Sequence, residues 1–146
     1  MHVNFHTASA SLALATTMML TGPAFAETVS LKADLNASSE VPPVESKGTG
    51  TLAATYDTSN KALSYTVNYS GLTGEATAAH FHGPAAAGQN AGVVVPVSGS
   101  AASPIKGSAT LTDAQAADLM AGRWYFNIHT AANKGGEIRG QVVKGQ

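Results

Sequence analysis

The 146-residue chain contains no cysteine. Disulfides, thiolate nucleophiles, iron–sulfur clusters and thiolate copper sites are therefore excluded. Charge is scarce: 12% of residues are Asp, Glu, Lys or Arg, with 8 bases against 9 acids. There is no basic excess to neutralise a phosphate backbone and no polybasic run to hold an anionic membrane, so nucleic-acid and membrane-surface partners are not expected. Aromatics make up 6% with a single tryptophan, so the position of each one carries weight in locating the core. No serine–histidine–acid spacing, phosphate loop or paired-carboxylate motif argues for hydrolysis; whether the distant Glu40 and Glu137 pair is left to the fold. What remains is a chain that is 44% hydrophobic, too apolar and too weakly charged for a disordered segment.

Only one long apolar run is present. Ala8–Leu20 is small, uncharged and rich in Ser and Thr, and is followed by Thr21-Gly22-Pro23 and then Ala24-Phe25-Ala26. It is shorter than the roughly 20 apolar residues of a membrane span. The small-x-small ending is what a signal peptidase cuts behind, although the start has His2 and His6 in place of Lys or Arg. The expectation is a signal peptide over residues 1–26, cleaved after Ala26. Glu27–Gln146 is then one soluble domain, periplasmic or secreted, with no membrane span after cleavage and with its oligomeric state left open.

That domain reads as strands. Thr28–Asn36 alternates, with Val29, Leu31, Ala33 and Leu35 on one face. Gly48–Tyr56 and Ala62–Ser70 flank a polar turn and predict a hairpin. Further strands are predicted at Thr77–His82, Gly92–Val97, Ile105–Leu111, Arg123–Thr130 and Glu137–Val143. One helix, Thr112–Ala121, carries a capping box from Thr112 and Gln115 and a C-terminal Gly122. Helical crossovers between strands are otherwise lacking. The expected fold is all-β, an antiparallel Greek-key sandwich or flattened barrel, with Leu63, Tyr65, Val67, Tyr69, Phe81, Trp124, Phe126 and Ile128 inside.

Chemistry is concentrated in the histidines. Beyond Ala26 there are three: His80, His82 and His129. The period of two puts His80 and His82 on one strand face, opposite Phe81, and His129 with Asn127, Tyr125 and Arg123, opposite Trp124, Phe126 and Ile128. Three imidazoles from two strands suit Cu(II) or Zn(II). Glu137 is expected across a hairpin from His129, where a carboxylate orients an imidazole, with Arg139 on the same face. Asn127 and Glu40 are the other expected supporting residues. The bland alternatives are a Glu137–Arg139 salt bridge on a solvated face, a loop-tethering Asn127 and a solvated Glu40.

Four segments, Glu40-Val41-Pro42-Pro43-Val44, Ala78-Ala79-His80-Phe81-His82-Gly83-Pro84-Ala85, Phe126-Asn127-Ile128-His129-Thr130 and Gly135-Gly136-Glu137-Ile138-Arg139-Gly140-Gln141, together resemble the CHRD domain, the module repeated in animal chordin and found alone in many secreted bacterial proteins. The resemblance spans about Val29–Val143 and implies a secreted β-domain; for chordin itself it implies binding of signalling proteins. A looser similarity is to Cu/Zn superoxide dismutase, where a His-x-His strand and a later histidine meet at copper. Here the disulfide cysteines, the bridging fourth histidine and a histidine-rich zinc loop are lacking. Three functions stand open: a metal-binding domain, an interaction or extracellular matrix module with a protein partner, and a copper oxidoreductase of the dismutase kind.

Overall fold

A computed structural model of the protein describes residues 26–146. The expected signal peptide therefore lies almost wholly outside the described residues. Eight strands form the domain: β1 (Thr28–Asn36), β2 (Thr49–Asp57), β3 (Ala62–Ser70), β4 (Ala76–His82), β5 (Val93–Pro96), β6 (Ile105–Thr110), β7 (Trp124–Thr130) and β8 (Ile138–Lys144). One helix, α1 (Asp113–Met120), lies between β6 and β7, with Thr112 and Gln115 closing the capping box and Gly122 at φ 72° just past its end. Among the described residues no helix is long and apolar enough to cross a membrane.

All the strands join one antiparallel sheet in the order β5-β4-β7-β8-β1-β2-β3-β6. The sheet curls into a nearly closed barrel. Tyr65 on β3 meets Phe81 on β4 edge-on, with ring centroids 5.0 Å apart, although four strands lie between β3 and β4 in the sheet order. The alternating residues read from the sequence line the interior. Leu63, Val67, Phe81, Trp124, Phe126 and Ile128 are fully enclosed. Tyr69 is only partly covered, and its hydroxyl donates to the Ala101 carbonyl. Phe81 sits between Tyr65, Trp124 and Phe126, ring against ring.

β8 closes the structure by pairing with β7 on one side and β1 on the other. Its Gly140 lies so near β1 that a Cβ there would collide with the Asp34 carbonyl. β4 and β7 carry the core on one face and the histidines on the other. Their ladder aligns His80 with Asn127, His82 with Tyr125 and Ala78 with His129.

Candidate metal centre

The ladder sets the site directly. His80 and His82 are two residues apart on β4 and project to the same side, while Asn127 and His129 do so on β7. Opposite His129 stands only Ala78, so the His129 ring has room to lean toward His80. The two rings meet edge-on at 4.9 Å, and His80 Nδ1 lies 3.1 Å from His129 Nε2. One ring nitrogen from each of the three histidines falls within 4.8 Å of the others. The three residues picked from the sequence are therefore brought together, the third from a strand 47 residues along the chain from the second.

Backbone carbonyls fix which nitrogen of two rings faces inward. His82 Nδ1 is 2.9 Å from the Ala91 carbonyl, and His129 Nδ1 is 2.8 Å from the Lys134 carbonyl. A carbonyl only accepts, so each Nδ1 carries the ring proton and each Nε2 keeps its lone pair. His82 Nε2 is buried without a hydrogen-bond partner. His129 Nε2 faces His80 Nδ1 and, at 3.0 Å, Asn127 Oδ1. Burial holds His80 below the ordinary imidazole pKa, helped by the neighbouring His129 and His82. Burial does the same for His82, against the opposing pull of its Ala91 hydrogen bond and the nearby Asn127 amide. His80 and His82 thus resist protonation.

Behind His82 is a stack. Its ring lies parallel to Tyr125, with centroids 4.7 Å apart and 2° between planes, and the Arg139 guanidinium carbon sits 3.4 Å from the Tyr125 centroid on the ring face. Arg139 is 2% exposed and donates to Asn90 Oδ1 at 2.8 Å and to the Gln89 carbonyl. The Tyr125 ring thus lies between Arg139 and the imidazole, and Arg139 is committed to the loop that also supplies the Ala91 carbonyl. The alternative of a solvated Arg139 and a solvated Glu40 does not hold: both are buried. Burial raises the Glu40 pKa, partly offset by the Arg139 charge, an Asn127 hydrogen bond and the Val41 backbone.

Glu137 departs from the expectation. It is fully enclosed and accepts five hydrogen bonds: Ser46 Oγ and Thr73 N at Oε1 (2.6 and 2.8 Å), and Thr73 Oγ1, Thr130 Oγ1 and Asn133 Nδ2 at Oε2 (2.7, 2.6 and 3.2 Å). Its partners include neither His129 nor Arg139. The reason is local. The regular ladder starts at Ile138, and Gly136, at φ 125°, turns the chain just before Glu137, so strand alternation cannot be extended to it. Its side chain joins Thr130, on the far side of β7 from His129. Burial pushes its pKa upward, but the hydrogen bonds from Ser46, Thr130 and Thr73 win and hold it at about 2.

Sequence reasoning gave no role to Tyr125 or to the Ala91 and Lys134 carbonyls. Tyr125 had a usable signal, since it alternates in phase with Asn127 and His129. The carbonyls had none, because every residue carries one.

The four motif segments fall around this centre: the Glu40 loop, β4, β7 and the turn into β8. The CHRD domain family matches the chain over residues 31–142. The chain belongs to the CHRD domain family. No curated protein and no solved structure matches it. The matched span takes in every strand that carries a histidine of the cluster and both loops that fix their tautomers.

Proposed function

We propose that this CHRD domain binds one Cu(II) or Zn(II) ion through His80, His82 and His129. One observation carries the reading: a buried His82 Nε2 lone pair, with no hydrogen bond of its own, facing the ring nitrogens of two other histidines. An unsatisfied buried polar atom costs about 1–3 kcal/mol, and a cation at the centre removes that cost. Bonds to nitrogen of about 2.0–2.1 Å require the most distant ring nitrogens to draw in, a movement that side-chain rotation supplies.

The domain acts outside the cytoplasm in this reading, as the family resemblance and the Ala24-Phe25-Ala26 pattern suggest, with Glu27 as the N-terminus of the exported protein. Mass spectrometry finding Met1 in the exported product contradicts that part. The metal reading is tested by calorimetry on residues 27–146 with copper and with zinc. The wild type is expected to bind one equivalent, and His80→Ala, His82→Ala and His129→Ala each to weaken binding by at least 100-fold. Equal and weak binding by all four proteins refutes the metal centre and leaves an interaction module. Tight copper binding without superoxide turnover removes the dismutase reading.

A further inference from the structure

We infer that Asn127 supplies a fourth ligand, its amide oxygen Oδ1, making a three-nitrogen, one-oxygen centre; the inference rests on the three-histidine reading above. Asn127 lies on β7 opposite His80 in the ladder and is 2% exposed. Its Oδ1 is 3.0 Å from His129 Nε2. With the ring proton of His129 given to the Lys134 carbonyl, that contact sets two lone pairs against each other with no hydrogen between them. Neutral groups repel in such an arrangement, and a shared cation makes it favourable.

Turning the amide over does not relieve the conflict. The Nδ2 end faces acceptors: it is 3.5 Å from the Gly135 carbonyl and lies next to the Glu40 carboxylate. The missing side chain of Gly136 leaves space for that meeting, since a Cβ there would collide with both Glu40 and the Asn127 amide. An inverted Asn127 would point its oxygen at a carbonyl and a carboxylate in a buried place. The surroundings therefore hold Oδ1 toward the imidazoles. Its 3.0 Å separation from His129 Nε2 matches two adjacent ligands at about 95° on a metal with bonds of roughly 2.05 Å.

The test is continuous-wave electron paramagnetic resonance on Cu(II)-loaded residues 27–146, with copper affinity measured in parallel. Wild type, Asn127→Asp and Asn127→Ala are compared. Asn127→Asp keeps an oxygen of nearly the same size and place but adds charge, so it is expected to fold, to hold copper at least as tightly and to shift the parallel g value and copper hyperfine splitting. Asn127→Ala is expected to bind at least 10-fold more weakly and to shift both parameters the other way, with nitrogen coupling from three imidazoles retained. Copper bound by all three proteins with one unchanged spectrum and affinity overturns the Asn127 assignment and leaves the three-histidine centre standing. A wild type that takes up no copper overturns the centre itself.

Discussion

Replacing Glu137 with Gln tests the account of the loops around the centre. The ionised carboxylate accepts two hydrogen bonds at one oxygen and three at the other. An amide NH2 cannot accept. If it takes the Oε1 position, the Thr73 N–H loses its acceptor and cannot rotate away; if it takes the Oε2 position, Asn133 Nδ2 and two hydroxyls must find others. One stranded buried donor costs about 1–3 kcal/mol, and the lost charge assistance adds to it. The depressed pKa of the carboxyl expresses the same hydrogen bonds in another form. A shift from 4.5 to about 2 corresponds to about 3 kcal/mol in favour of the ionised form in the folded state. Glu137→Gln is therefore expected to lower unfolding free energy by about 3 kcal/mol at pH 7 in urea melts. The folded pKa is depressed, so the stabilisation is complete above about 4.5 and is lost as pH falls toward about 2. The gap between wild type and variant should close over that window. A variant within 1 kcal/mol of wild type at pH 7, or a gap unchanged at pH 2.5, refutes the reasoning. Copper affinity of the folded variant should stay within a few-fold of wild type, because Glu137 does not touch the histidines.

The metal-free protein and its metal binding should both respond to acid through His80 and His82. Their folded pKa values are lowered, so the unfolded chain takes up more protons as pH falls below about 6.5, and urea melts should show stability declining from there. Copper affinity, measured by competition between pH 7.5 and 5, should hold until pH is below about 6.5 and then fall; a decline starting above pH 7 contradicts the depressed values. Gly136→Ala forces a side chain onto φ 125° and into Glu40 and Asn127, and should cost at least about 2 kcal/mol in melts while weakening copper binding; a neutral variant would deny that this turn shapes the centre.

Much of this was legible because strands repeat every two residues. Leu63, Tyr65 and Val67, or Trp124, Phe126 and Ile128, mark the inside, and the same rule places His80, His82, Asn127 and His129 on the opposite face. The capping box wrote the helix into the sequence in the same local way. Local rules stop where alternation stops. Glu137 stands one residue before its strand, and a single glycine rotation sends it to Thr130 rather than His129. Burial of Arg139 and Glu40 could not be read either, because it accompanies a long-range meeting of segments: Gln89 and Asn90 with Arg139, and Asn90 with the Val41 carbonyl. The position of β8 between β1 and β7 is likewise a property of the whole sheet, invisible in any segment.

That position of β8 has a temporal consequence. The last strand to leave the ribosome, or to cross a membrane threaded N-terminus first, is the one that links β7 to β1. Until Ile138–Lys144 is free, the chain holds two partial sheets, β5-β4-β7 and β1-β2-β3-β6, each with an unpaired inner edge. The loop-fixing Lys134 carbonyl and the Gly136 turn sit just ahead of the same strand. The β4–β7 ladder that carries the three histidines can pair without β8, but the turn that fixes His129 and the closing of the sheet both wait on Ile138–Lys144.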